Sequence, residues 1–180
     1  QMHSEDLAIL EISSFQLEQM TLSPRLAAVL NVTPNHLDRH GSMEAYAAAK
    51  QRILDFQVTG DTAVLNREDR GAWALQAKVH GRLVTFGFRE PAAGQDGTYL
   101  AGDNLTLREQ GRDFTLMRQD QIQLRGDHNL MNVLAAFAIG KAAGLPLGAM
   151  IRAAAEFRGV PHRLELVRSW NGSAWYNDSI

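Results

Sequence analysis

Leu7-Ala8-Ile9-Leu10-Glu11-Ile12-Ser13-Ser14-Phe15-Gln16-Leu17-Glu18 is the stretch whose reading decides the fold. Its first half is a continuous apolar run without alternation. Strands covered on both faces favour such runs, so Asp6 to Ile12 is expected to form a buried central strand of an α/β sheet. Open α/β sheets bind ligands in the crevice beyond the carboxyl ends of their strands. Glu11 falls at that end, beside the hydroxyls of Ser13 and Ser14, and a hard carboxylate oxygen there suits a cation such as Mg²⁺. The plainer reading is a carboxylate that leaves the core and meets water.

The following residues alternate strand and helix. Leu26 to Val32 is a second apolar run, broken by Thr33-Pro34-Asn35. Ser42 is placed to cap a helix from about Met43 to Gln57, with Glu44 favourable in its first turn. Thr62 to Leu65 and Arg82 to Phe86 read as further strands, with a helix around Gly71 to Lys78 between them. Such alternation predicts an α/β domain with parallel strands. From Gly87 to Gly126 the pattern changes. Gly94, Gly97, Gly102 and Gly111 punctuate short runs, which predicts antiparallel hairpins. Asp127 then caps an apolar helix ending near Gly144, and a second helix spans about Leu147 to Phe157. Leu164 to Trp170 and Ser173 to Asn177 flank Asn171-Gly172, a tight-hairpin signal.

Bulk composition excludes several classes. The chain has 180 residues, of which 45% are hydrophobic, enough for a sizeable core. Its net charge of −2 offers no electrostatic footprint for nucleic acid or an anionic membrane. No apolar run approaches the roughly 20 residues of a membrane span. Cysteine is absent, which excludes disulfides and Cys-based metal sites. Phosphate-loop, Gly-x-Gly-x-x-Gly and Gly-x-Ser-x-Gly signatures are missing. Both ends read as cut close to core strands, so the chain is expected to be part of a longer protein.

Several polar positions carry possible chemistry. His36, Asp38 and His40 follow the second apolar run with a two-residue spacing that matches no established zinc pattern. Position after a strand favours His36; ordinary solvated histidines are the alternative. On the next helix Tyr46, Lys50, Ile53 and Leu54 share one arc, and Glu44, Gln51, Arg52 and Asp55 the opposite one. Lys50 therefore sits in an apolar stripe. Either its stem is buried with the ammonium reaching water, or the amine points into a partly buried site. Burial favours the neutral amine. A neutral lysine can take up carbon dioxide as a carbamate, an anionic oxygen ligand. Asn129 and Asn132, three apart, can face one polar neighbour such as an adenine edge, or simply cap the helix start. Arg163 and Asp178, at the entrance and exit of the final hairpin, suit phosphate and ribose oxygens or a surface ion pair.

Taken in order, these strings resemble the motifs of a known family. They are Glu11 to Glu18, Asn31-Val32-Thr33 with His36-Leu37-Asp38-Arg39, Ala48-Ala49-Lys50, Gly126 with His128-Asn129 and Asn132, Pro161-His162-Arg163, and Asn177-Asp178-Ser179. They look like the central ATP-binding domain of the Mur ligases, and they cover nearly the whole chain. Ser13-Ser14-Phe15-Gln16-Leu17-Glu18 resembles the D-glutamate-adding branch in particular. The resemblance implies an α/β fold with a mostly parallel central sheet flanked by helices and an additional small antiparallel β region. It implies a cytoplasmic ATP-dependent amide ligase of peptidoglycan synthesis, joining D-glutamate to UDP-N-acetylmuramoyl-L-alanine through an acyl phosphate, with no nucleic-acid or membrane partner. By the same resemblance Glu11, His36 and Lys50, the last as its carbamate, would be the catalytic and Mg²⁺-binding residues. Asn129 and Asn132 would lie by the adenine of ATP, and Arg163 and Asp178 near its ribose and phosphates.

Two features depart from the family pattern. The phosphate loop would lie upstream of Gln1, and Ile180 stands where the family continues with Lys. A different Mur-type or folylpolyglutamate ligase, or a non-catalytic nucleotide-binding module, are the competing readings. The 180 residues alone are expected to show no ligase turnover; measurable amide formation by the isolated chain overturns that expectation.

Overall fold

Short apolar runs supply the strands of one sheet. The computed structural model describes residues 3, 6–34, 37–163 and 165–179, with only the backbone of Leu37 and Asp38. Strands β1 (Leu26–Val29), β2 (Thr62–Asn66), β3 (Arg82–Phe86) and β4 (Asp96–Ala101) lie side by side in parallel. Strands β5 (Asn104–Glu109) and β6 (Arg112–Arg118) extend the same sheet antiparallel, in the order β1-β2-β3-β4-β5-β6. The glycine-punctuated hairpins expected after Gly87 are thus fused to the parallel sheet. A separate two-stranded antiparallel sheet follows, formed by β7 (Glu165–Trp170) and β8 (Ser173–Asn177).

Helices cover both faces of the large sheet. On one face Val64, Val84, Phe86, Leu105 and Leu107 pack with Leu134 and Phe137 of helix α5 (Asp127–Ala142). On the other, Ala27, Val29, Ala63 and Leu65 pack with Tyr46 and Leu54 of α3 (Met43–Asp55) and Ala72 of α4 (Arg70–Ala74). Alternate residues of a strand point to opposite faces, so Ala63 and Leu65 enter one core and Val64 the other. That two-sided burial explains why β2 carries consecutive apolar residues. Helix α5 joins the sheet by a polar tie as well: the Thr98 hydroxyl, fully buried, donates to the Leu134 carbonyl at 2.7 Å.

Local signals set most helix ends. The Ser42 hydroxyl accepts from the Ala45 amide at 3.2 Å and caps α3. The amide of Glu44 and that hydroxyl hold the Glu44 carboxyl below its ordinary range. Gly126, with φ 90°, occupies the cap position of α5, so the capping expected of Asp127 is corrected: Asp127 is the first helical residue. Its negative charge then meets the amide end of the helix. Helix α6 (Leu147–Glu156) follows after the turn at Gly144. Asn171 and Gly172 both take positive φ, 48° and 76°, as a two-residue hairpin turn requires.

The strand expected over Asp6 to Ile12 is not formed. These residues are irregular, and Leu7, Ile9 and Leu10 are 62%, 91% and 76% exposed. A strand exists only through hydrogen bonds to a neighbour, and among the described residues no strand pairs with this segment. Regular structure begins instead at the short helix α1 (Ser14–Glu18). The β7–β8 hairpin likewise leaves its apolar residues uncovered, with Val167 62% and Trp170 56% exposed.

One glycine marks the tightest approach between a loop and a helix. A Cβ at Gly71 would stand 2.5 Å from the Val32 carbonyl oxygen and 2.7 Å from Val32 Cβ. Gly71→Ala is therefore expected to destabilise the chain by about 1–3 kcal/mol, read as a lower midpoint in denaturant unfolding; an unchanged midpoint would show that the loop yields freely.

Candidate active site

The loop leaving β1 is held from the next strand exit. Asp69 follows β2 and caps α4, accepting from the Ala72 amide at 2.7 Å through Oδ1. The same oxygen accepts from the Val32 amide at 2.9 Å, which fastens Asn31-Val32-Thr33 to the neighbouring βα turn. Asn66 organises that turn, its side-chain oxygen accepting from the amides of Glu68 (2.9 Å) and Asp69 (3.3 Å). His36 lies outside the described residues, as does the Asp38 side chain. The backbone of helix α2 (Leu37–His40) follows directly.

The Ser-Ser-Phe-Gln-Leu-Glu string mostly builds α1 and seats it. Ser13 and Gln16 form a reciprocal capping box: the Ser13 amide donates to Gln16 Oε1 at 2.9 Å, and the Gln16 amide to Ser13 Oγ at 3.3 Å. Leu17 enters the core at 1% exposure. Ser14 and Glu18, one turn apart, both reach His40. Ser14 Oγ lies 2.9 Å from Nε2, and Glu18 Oε1 lies 3.0 Å from Nδ1. The His40 side chain is 2% exposed, stacks on Phe15 with centroids 4.9 Å apart, and meets the Tyr46 ring at 5.2 Å. His40 is therefore removed from the metal-ligand candidates, because both ring nitrogens are engaged. A Ser and a Glu four residues apart, with a histidine elsewhere, is a signal too common to single out from sequence.

Lys50 is half-buried in the expected apolar stripe, one turn beyond Tyr46. Its Nζ lies 5.8 Å from the Tyr46 ring centroid, and it forms no ion pair among the described residues. Glu11 is exposed and has neither a hydrogen bond nor an ion pair among them. Both α1 and α2 pack on α3, so the segment after Glu11, the helix after His36 and the helix bearing Lys50 share one corner. Among the described residues no three His, Asp or Glu side chains gather as a metal cage. Glu11 offers Mg²⁺ a hard carboxylate oxygen with no hydrogen bond or ion pair among the described residues.

A second group converges near the start of α5. Asn129 donates from Nδ2 to the Arg125 carbonyl at 2.8 Å, the local capping alternative, while Asn132 is exposed one turn on. Arg125 also donates to the Tyr176 hydroxyl at 2.6 Å, tying the α5 entrance to the strand that leads to Asp178. At the hairpin base Asn177 Nδ2 donates to His162 Nδ1 at 2.8 Å, so the residues adjoining Arg163 and Asp178 are joined. Arg163 and Asp178 are both exposed. The ties made by Arg125, His162 and Tyr176 were not foreseen, since nothing in their local sequence announces a partner.

A mostly parallel α/β domain with polar residues gathered beyond its strand ends is thus defined. Residues 1–140 match the family described as the Mur ligase middle domain, and the chain belongs to that family. It is 43% identical over 176 residues to the UDP-N-acetylmuramoylalanine--D-glutamate ligase of Symbiobacterium thermophilum, covering 98% of this chain and 39% of that protein. It is 42% identical over 180 residues to the ligase of the same name from Legionella pneumophila, with 98% and 39% covered. The chain therefore spans about two fifths of the length of these relatives. Solved structures share the fold at low identity. MurF from Acinetobacter baumannii matches with a TM-score of 0.65 at 21% identity, over 87% of this chain and 34% of that one. UDP-N-acetylmuramate-alanine ligase MurC from Thermotoga maritima matches at 0.57 and 20%, over 88% and 34%.

The hairpin's tether is open to a direct test. Tyr176→Phe removes one hydrogen bond and is expected to speed amide hydrogen exchange in β7–β8 about fivefold, while the large sheet keeps its protection; unchanged exchange would show that the Arg125 bond holds nothing.

Proposed function

We propose that this chain is the central nucleotide-binding part of a longer ligase that joins D-glutamate to UDP-N-acetylmuramoyl-L-alanine at the expense of ATP, in the cytoplasm. The observation that carries the reading is the shared corner of α1, α2 and α3, where neither Glu11 nor Lys50 forms an ion pair among the described residues. Two relatives that match nearly the whole chain and carry that ligase name support the choice of substrates. No helix among the described residues is long and apolar enough to cross a membrane.

In the proposed reaction a carboxylate oxygen of the UDP-sugar substrate attacks the γ-phosphorus of ATP, and ADP leaves. The amine of D-glutamate attacks the acyl carbon of the resulting acyl phosphate and gives up a proton. The tetrahedral adduct then expels inorganic phosphate and leaves the amide. Glu11, His36 and the carbamate of Lys50 would hold Mg²⁺, which when bound neutralises charge between the anionic reactants. The carbamate forms when the neutral Lys50 amine adds carbon dioxide and loses one proton. Asn129 and Asn132 would meet the adenine, with Arg163 and Asp178 at the ribose and phosphates. The Arg125–Tyr176 and His162–Asn177 bonds keep those segments together.

The test uses the full-length protein with ATP, the UDP-sugar and a panel of amino acids, following phosphate release. Turnover should require D-glutamate. Lys50→Ala should lower kcat on the order of 100-fold, and a small carboxylate such as formate should restore part of it. Full activity of Lys50→Ala without additive removes Lys50 from the site, and turnover with another amino acid in place of D-glutamate overturns the substrate assignment.

A further inference from the structure

His40 has no assigned part in the proposed reaction, yet it stands at the centre of the corner that would carry it. Two candidate groups adjoin residues that touch the His40 ring. Glu11 precedes Ser14 by three residues in the sequence. Lys50 follows Tyr46 by four on α3, with its Nζ above the Tyr46 ring at 5.8 Å. We infer that His40 is a positioning residue, a buried hub that fixes the segments bearing Glu11 and Lys50 relative to one another. The inference rests on the reading of those two residues as part of one reaction centre.

The geometry suits holding better than reacting. Ser14, His40 and Glu18 stand in the order of a nucleophile, a base and its orienting acid. Ser14, however, is only 4% exposed and its hydroxyl is engaged with His40. What the triad supplies is direction. Nδ1 faces the Glu18 carboxylate at 3.0 Å and Nε2 the Ser14 hydroxyl at 2.9 Å, so both ring nitrogens are tied to α1. Ring stacking adds a second restraint, with Phe15 and His40 nearly coplanar in orientation at 2° and Tyr46 tilted at 59°. Two bonds at opposite ends of one ring, plus two aromatic contacts, leave the imidazole a single pose. Helices α1, α2 and α3 each contribute to that pose, so none can shift without breaking it. Groups one shell away from a metal-binding set commonly alter its affinity by orienting the donors.

The test compares variants of the full-length protein, each assayed below its own unfolding temperature. His40→Phe keeps the ring and its stacking and removes both hydrogen bonds. His40→Gln keeps an amide that can donate toward Glu18 and accept from Ser14. Mn²⁺ is the probe, its free concentration followed by electron paramagnetic resonance with a non-hydrolysable ATP analogue present. His40→Phe should weaken Mn²⁺ binding about 10-fold or more and lower kcat, with the KM for ATP within about twofold, and His40→Gln should recover most of both. Should His40→Phe fail to fold, Ser14→Ala carries the same expectation in milder form. Mn²⁺ affinity and kcat within about twofold of the unaltered protein overturn the inference. If Glu11→Gln and Lys50→Ala weaken Mn²⁺ binding while the His40 and Ser14 variants do not, the hub alone falls. If neither Glu11→Gln nor Lys50→Ala weakens it, the shared reaction centre falls as well.

Discussion

A parallel sheet has to be covered on both faces, and that requirement organises the rest of this chain. Parallel strands cannot be joined by tight turns: helices make the crossings from β1 to β2 and from β2 to β3, and the irregular residues 87–95 the one from β3 to β4. Helices α3 and α4 take one face and α5 the other, and β2 sends Ala63 and Leu65 to the first and Val64 to the second. With both faces filled, polar chemistry is left to the strand ends. The turn after β2 shows how closely the ends are then coupled. Asp69 caps α4 and grips the Val32 amide with one oxygen, and Gly71 leaves Val32 the space to sit there.

The corner made by α1, α2 and α3 divides its labour sharply. In the Glu11–Glu18 string, Ser13 and Gln16 cap a helix, Leu17 enters the core, and Ser14 and Glu18 hold His40. Glu11 is exposed and has neither a hydrogen bond nor an ion pair among the described residues. A motif that reads as chemistry is therefore largely helix capping and core contact. Burial of the His40 ring leaves no polar atom unsatisfied, because each nitrogen has its partner and the ring meets Phe15 and Tyr46.

The β7–β8 end is held by polar ties at its root. One hydrogen bond from Arg125 reaches Tyr176, and one from Asn177 closes the hairpin base on His162. The hairpin carries exposed Val167, Trp170 and Trp175, in contrast to the filled faces of the large sheet. Such a segment has little buried apolar area to hold it, so its position depends on the polar bonds at its root.

Much of the fold was legible in short-range pattern. Ser42 as a cap, Asn171-Gly172 as a turn, Lys50 within an apolar stripe, and the strands from β1 to β3 follow from local chemistry and periodicity. The motifs that resemble the Mur ligases were legible too, because each is a short stretch of sequence. The apolar run before Glu11 was read as a strand because hydrophobicity records a tendency to be covered, whereas a strand also needs a neighbour with free hydrogen-bonding groups. The engagement of His40 was equally invisible, as was the Arg125–Tyr176 tie across 51 positions. Sequence by itself determined most of the elements and caps, because those depend on neighbours within a turn or a strand. Only the tertiary structure decided that both ring nitrogens of His40 are engaged, since a contact between distant side chains is set by how helices pack and leaves no local mark.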